Sequence, residues 1–335
     1  MGAIIPVFIP HVGCPHDCVF CNQKKIAGTL TAPDGADVKR IIEDALGYSG
    51  ERPQIAFYGG SFTAVPRELM CEYLDAAKPF VDSGLAESLR LSTRPDSIDA
   101  ERLEILRTSG VRTIELGTQS MCDDVLASSG RGHSSSDTRR AAALIKEYGF
   151  ELILQMMTHL PGSDEAKDIE TAREICRLRP DGVRIYPTVV IRDTALERLW
   201  RNGSYTPATP EQAAALGATL LDIFEESGIP VIRFGLNPTD DLSGGEALAG
   251  AYHPALGEMA QSARYLARAK KLIDSCEERG KALEISVCPK RVSVMSGQKK
   301  SNRKALCEAY GFDTVTVRGD AEIADGEMNL RFINK

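Results

Sequence analysis

Three cysteines crowd into eight residues near the start of the chain, Cys14-Pro-His-Asp-Cys18-Val-Phe-Cys21, with the spacing C-x3-C-x2-C. Thiols this close in sequence can converge on one inorganic core, because a short loop wraps it with little closure entropy. A structural zinc site wants four ligands in a closed tetrahedron, and only His11 and His16 stand near as a fourth. A ferredoxin-type cluster uses four cysteines in a different run. A cubane held by three thiolates is the third option, and it leaves one iron open to a substrate or cofactor. The other six cysteines are scattered singly, and Cys71, Cys122 and Cys176 fall in helical patterns where they read as small buried apolar groups. The odd total of nine fits a reducing compartment better than a disulfide framework.

A loop of this kind needs a scaffold to aim it. Short β-branched runs at residues 4–9, 55–58, 89–93, 112–116, 151–156 and 183–187 alternate with amphipathic helical patterns at 36–48, 68–81, 138–148 and 165–178. The alternation predicts parallel βαβ units with right-handed connections. Six such units suffice for an open or partial barrel with a site at the strand C-termini, although a doubly wound sheet has the same periodicity. Small and polar groups do follow those strand ends. Gly59-Gly60-Ser61 comes after the second, Thr93-Arg94 lies at the end of the third, Gln119 follows the fourth with Gly130-Arg131-Gly132 beyond it, and Gln155 lies on the fifth.

The cysteine spacing, with Phe20 directly before the third cysteine, resembles the radical S-adenosylmethionine (SAM) superfamily, and the strand-end motifs recur in its order. At the level of phrases, residues 59–65, 93–98, 114–133, 155–164 and 185–207 resemble the radical SAM domain of the Elongator catalytic subunit family, which modifies tRNA wobble uridine. The likeness covers roughly residues 1 to 210. It implies an α/β fold, a partial (β/α)6 TIM-type barrel, with a 4Fe–4S cluster on Cys14, Cys18 and Cys21. It further implies SAM held by Phe20, Gly59, Gly60, Ser61, Thr93, Arg94, Gln119, Arg131 and Gln155. The glycines would meet the methionine end, Gln119 the ribose, and the Arg131 guanidinium fork the carboxylate. Relatives often carry Asp or His where this chain has Gln155. The cysteine loop is tighter than in the Elongator family, and the chain stops too early for that family's acetyltransferase domain. The Gln119 and Arg131 pattern is shared with oxygen-independent coproporphyrinogen oxidases.

The activity implied is reductive cleavage of SAM to a 5′-deoxyadenosyl radical, fed by a reductant protein such as flavodoxin or ferredoxin. An RNA, tRNA among them, is the expected substrate and a small metabolite the alternative. A non-catalytic Fe–S sensor is the alternative of a different class, and it predicts a cluster without SAM cleavage.

Residues 1–235 form the expected barrel. Residues 236–280 read as Gly-, Pro- and Asp-rich loops and then a helix over 260–279, and 281–335 as a small C-terminal α/β module. In that module the stretch from Val292 to Asn302 resembles the G-x-x-G loop of a KH-type RNA-binding core, with Gly297 present and Lys300 in place of the second glycine. Residues 264–304 hold 12 Lys and Arg against 4 Asp and Glu, a balance of +8 on a chain of net −7. Such a segment suits a polyanion such as RNA, or a solvated helix face. No apolar run of about 18 residues offers a membrane span. Residues 1–10 lack the basic flank of a signal peptide, so a cytoplasmic protein is expected.

Overall fold

The computed structural model describes residues 3–9, 14–22, 32–47, 52–236, 242–277 and 280–334. Its centre is a sheet of seven strands in the order of the chain: β1 (Ile4–Phe8), β2 (Gln54–Tyr58), β3 (Ser88–Thr93), β4 (Val111–Gln119), β5 (Glu151–Thr158), β6 (Gly182–Pro187) and, after β7 (Val189–Ile191) leaves the sheet, β8 (Val231–Phe234). All neighbours pair in parallel. Helices α1 (Gly35–Leu46), α2 (Arg67–Asp82), α3 (Ala100–Thr108), α4 (Asp123–Ser128), α5 (Ser135–Glu147), α6 (Glu165–Leu178), α7 (Ala195–Arg201) and α8 (Pro210–Glu226) occupy the crossovers. This is the partial TIM-type barrel that the alternation predicts, with one strand more than the six expected. The additional strand, β8, has only four residues, each half-buried, too few to show the alternation that marks the others.

Alternation along each strand decides which residues see the helices and which see the interior. On β3, Leu89 and Leu91 pack outward into the helix-covered core, while Arg90 and Ser92 face in. Strand β4 repeats this with Ile114 and Leu116 outward and Glu115 and Gly117 inward, and β6 with Val183 and Ile185 against Arg184 and Tyr186. The inner face is therefore polar and partly hollow. Local signals fix the loops at the strand tops. Ser134 and Asp137 form a reciprocal capping box at the start of α5. Asp123, the first residue of α4, accepts from Ser135 N at 2.7 Å, so the ends of the segment between the two helices are tied together.

Beyond the barrel, β7 pairs antiparallel with β9 (Ala247–Gly250), a strand inside the stretch expected to be loop. Helix α9 (Leu256–Ser275) begins four residues before the expected start and lies against α8. Its Arg264, 7% exposed, pairs with Asp222 and Glu225 of α8, and Arg268 pairs with the same two carboxylates. Those two cations of the basic segment serve to dock the helix. The C-terminal module follows as β10 (Ala282–Val287), α10 (Val292–Ser296), α11 (Ser301–Tyr310), β11 (Thr314–Gly319) and β12 (Met328–Ile333). Its sheet has the order β11-β10-β12, parallel on one side of β10 and antiparallel on the other. Leu283, Ile285, Met295 and Leu306 share a core with Tyr265, Ala269 and Ile273 of α9, so that helix is common to barrel and module.

The Phe57 ring is fully buried against Phe62, with centroids 4.6 Å apart, and against Tyr73 at 6.3 Å, beneath the turn that follows β2. Phe57→Ala leaves a cavity there and is expected to cost about 3–5 kcal/mol in urea unfolding. A cost below about 1 kcal/mol would contradict this packing.

Candidate functional site

The strand C-termini surround a cavity of about 370 Å³. Cys14, Cys18 and Cys21 all border it. Backbone bonds set the cysteine loop in place: Val19 N donates to Ser129 O at 3.0 Å, and Leu196 N to Val19 O at 2.7 Å. Asn22 Nδ2 donates to Arg192 O at 2.8 Å. The loop lies directly on the Gly130-Arg131-Gly132 segment. A Cβ at Gly130 would stand 3.0 Å from Asp17 O, and one at Gly132 would stand 2.3 Å from His16 Nε2. Both glycines also have positive φ, so the space and the backbone demand the same residue.

Arg131 links this loop to the barrel. Its Nη1 donates to Cys18 Sγ at 3.5 Å and its Nη2 to Gly117 O at 2.7 Å. Its carbonyl accepts from Arg94 Nη2 at 2.5 Å, and Arg94 in turn forks onto Asp96 at 2.9 and 3.1 Å. Gly117 is the seat for the fork, since a Cβ there would be 2.6 Å from Arg131 Nη2 and 2.9 Å from Gln119 Nε2. Where β4 pairs with β5 the register slips between Gly117 and Gln119, and Gln119 takes φ 64°, an outlier that turns its side chain to the cavity. Gln155 Nε2 donates to Gln119 Oε1 at 3.4 Å.

Of the remaining expected residues, Gly59 and Gly60 border the cavity, and Ser61 Oγ accepts from Cys14 Sγ at 3.7 Å. Gly59 has φ 103°, and a Cβ there would be 2.5 Å from Ile9 O. Thr93 also borders the cavity, but its hydroxyl is engaged. Thr63 Oγ1 donates to Ser97 O, so the 2.6 Å contact between the two threonines must be donated by Thr93. Arg94 is 1% exposed and its visible bonds are to protein, which makes it a brace for Arg131. Phe20 does not border the cavity. It packs with Val190, Leu196 and Tyr205, behind the cysteine loop.

The radical SAM superfamily model matches residues 8–175, and the Radical_SAM C-terminal domain model matches residues 180–268. The first match alone spans half of the chain. The chain belongs to the radical SAM superfamily.

Among curated relatives, a tRNA uridine(34) acetyltransferase of Dehalococcoides mccartyi is 28% identical over 240 residues, covering 61% of this chain and 52% of the relative. Human Elongator complex protein 3 is 31% identical over 196 residues, covering 52% and 36%. This chain thus matches about half the length of the first and about a third of the second. Elp3 of the archaeon Methanocaldococcus infernus superimposes with a TM-score of 0.60 at 24% identity, over 80% of this chain and 63% of that one. Coproporphyrinogen III oxidase of Escherichia coli superimposes with a TM-score of 0.52 at 18% identity, over 68% and 53%. Membership makes the chain a radical SAM enzyme, with a 4Fe–4S cluster and SAM as its cofactors, and favours that reading over a non-catalytic sensor.

The cavity has the groups such cofactors need. Three thiols border it, the glycines keep its walls flat, and Arg131 Nε is buried without a hydrogen-bond partner. Among the described residues no three His, Cys, Asp or Glu side chains converge on a point where one ion could sit. A cubane spreads its thiolates over separate irons and does not require that convergence. His11, the other possible zinc ligand, lies outside the described residues.

Sequence reasoning missed the radical SAM cavity's inner end, where Tyr58, Glu115, Arg184 and Tyr186 face the space. A signal was present. Leu89-Arg90-Leu91, Ile114-Glu115-Leu116 and Val183-Arg184-Ile185 each place a charge between two apolar residues of a strand, which aims it away from the helices.

His133, 5% exposed behind Arg131, places its Nε2 3.2 Å from Thr118 O. Burial first, then the Arg131 and Arg94 cations, lower its pKa from 6.5 to about 4. A depressed histidine contributes stability that is lost as pH falls from 6.5 through 4, because only the unfolded chain takes the proton there. Asp168, raised to about 6 chiefly by burial, works in the opposite sense. The difference between wild type and His133→Gln therefore isolates the histidine. That difference in unfolding free energy is expected to change by about 2–3 kcal/mol between pH 6.5 and 4. Parallel pH profiles for the two proteins would show that His133 titrates normally.

Proposed function

We propose that this enzyme cleaves SAM reductively at a 4Fe–4S cluster held by Cys14, Cys18 and Cys21 and directs the resulting radical at an RNA nucleotide, tRNA first among candidates. The observation that carries the first half is the single cavity that brings the cysteine loop together with Gly59, Gly60, Ser61, Gln119, Gln155 and Arg131. When bound, the cluster supplies one electron to SAM, whose C–S bond breaks to give methionine and a 5′-deoxyadenosyl radical that takes hydrogen from substrate. The chain's own residues bind and orient. Ser61 borders Cys14, the glycines admit the methionine end of SAM, Gln119 offers its amide to the ribose, and Arg131 offers its buried Nε–H, which has no partner in the protein. Thr93 and Arg94 act one step back, holding the turn at 61–64 and the Arg131 backbone. An external reductant, a flavodoxin or ferredoxin, closes the electron balance.

Support for RNA comes from the relative named for tRNA uridine and from the C-terminal module. There, residues 297–300 lie between α10 and α11, as a KH-like reading requires, and Gly297, Lys299 and Lys300 all have positive φ. Lys299, Lys300 and Lys304 are exposed on this loop and the helix after it. Arg264, Arg268, Lys290 and Arg291 are instead paired with acids. A cytoplasmic setting suits an oxygen-sensitive cluster, and among the described residues no helix is long and apolar enough to cross a membrane.

Anaerobic reconstitution with iron and sulfide, followed by SAM and dithionite, tests the reading. The wild type is expected to form 5′-deoxyadenosine, and Cys18→Ala to lose it by a factor of at least about 100. Total tRNA should stimulate wild-type turnover, and Lys299→Glu/Lys300→Glu should weaken tRNA binding about tenfold at low salt, less at high salt. A cluster that forms without any 5′-deoxyadenosine, tRNA present or absent, would sink the proposal.

A further inference from the structure

The inner end of the cavity holds an ionic network that the cofactor sites do not use. Glu115, with its side chain 4% exposed, meets Arg90 Nη2 at 2.5 Å and Arg184 Nε at 2.9 Å. Tyr58 OH donates to Glu115 Oε1 at 2.9 Å, and Arg90 Nη1 to Gln54 Oε1 at 2.9 Å. Arg90 and Arg184 are themselves 7% and 11% exposed. One carboxylate thus faces two guanidinium cations inside the barrel. Arg90 Nε and Arg184 Nε are in addition buried without a hydrogen bond, the approach of Arg184 Nε to Glu115 being an ion pair whose hydrogen bond comes from Nη2 at 3.4 Å.

Among the described residues no acid other than Glu115 pairs with Arg90 or Arg184. Arg94 on the neighbouring wall is matched by Asp96, and Arg131 sits against the Cys18 sulfur. Glu87 and Glu151 lie at the half-exposed strand starts and face Arg112. On the far side of Arg184 the register neighbour on β8 is Arg233, another cation. Tyr58 does not supply the missing anion, because burial and then Glu115 raise its pKa well above the usual phenol range and keep it neutral. A buried charge without a counterpart is costly, and the cost falls when a ligand brings the opposite charge.

We propose that this part of the cavity binds an anionic group of the substrate, a carboxylate or a phosphate, against Arg184, with Tyr186 also on the cavity wall. Arg184 is the contact residue, and Glu115 with Arg90 positions it. Glu115 also attenuates the charge, so its removal strengthens anion binding. The inference rests on the reading of this cavity as the radical SAM active site and names one chemical feature of its substrate.

The test uses the reconstituted enzyme with SAM and measures the binding of acetate and of inorganic phosphate by calorimetry, with chloride at equal ionic strength as control. One of the two probes is expected to bind saturably where chloride does not, and which one does so distinguishes a carboxylate from a phosphate. Arg184→Met should weaken that probe about tenfold or more, Arg184→Lys less, and Glu115→Gln should tighten it about tenfold. The Glu115→Gln arm guards against misreading a variant that merely folds poorly, because a damaged site does not gain affinity. Binding no better than chloride, or equal binding by wild type, Arg184→Met and Glu115→Gln, overturns the inference. Formation of 5′-deoxyadenosine by the same wild-type preparation is read separately. Its presence beside a failed anion test leaves the radical SAM reading intact, and its absence removes that reading whatever the anions do.

Discussion

The site depends on where one guanidinium sits. Arg131 touches Cys18 Sγ with one nitrogen and Gly117 O with the other, so the cysteine loop and the bulged end of β4 are held at a fixed separation. Everything near it is arranged to permit that contact. Gly130 and Gly132 let the loop lie flat, Gly117 leaves space for the fork, and Arg94, braced by Asp96, holds the Arg131 carbonyl. Removing either contact would loosen the cysteine loop from the end of β4. A charge-assisted bond in so dry a setting is stronger than its count suggests.

The second constraint is the two-residue period of the strands. Each central strand gives its apolar residues to one helix-covered core and its polar residues to the interior, so a single alternation produces both stability and a reactive cavity. An interior filled with Leu and Val would have been a closed barrel core. Here Gly117 leaves room for the Arg131 fork, while Arg90, Glu115 and Arg184 carry charge across the interior. The outer packing helps determine where those charges stand, because a one-residue slip in register would turn the apolar face of a strand to the cavity.

Much of this was legible in the chain. The cysteine spacing, the Gly59-Gly60 turn, Gln119 and Arg131 all occur at the tops of strands whose apolar runs were visible, and the cavity collects them. The exceptions have physical causes. Phe20 sits beside a ligand candidate in sequence, yet the turn at Val19–Phe20 points its ring away, into the Leu196 cluster. The strand β8 is too short and too exposed to show a period. The basic stretch from Arg264 looked uniform, but Arg264 and Arg268 lie one helical turn apart on the face that meets Asp222 and Glu225, so their charge is used inside the fold. Charge counts along a sequence do not reveal which charges are paired across space. The network at Glu115 escaped notice for the same reason, since its members come from β2, β3, β4 and β6.

The central claim is that Arg131, seated on Gly117, couples a cluster on the cysteine loop to SAM in the adjoining pocket. Electron paramagnetic resonance of the reduced, reconstituted enzyme with and without SAM tests it most directly. The account predicts a cluster signal whose g values move when SAM is added to the wild type. In Gly117→Ala, where the added methyl displaces the fork, the signal should persist but need about tenfold more SAM to move. A wild-type signal that does not respond to SAM, or a Gly117→Ala enzyme that responds as the wild type does, would contradict it.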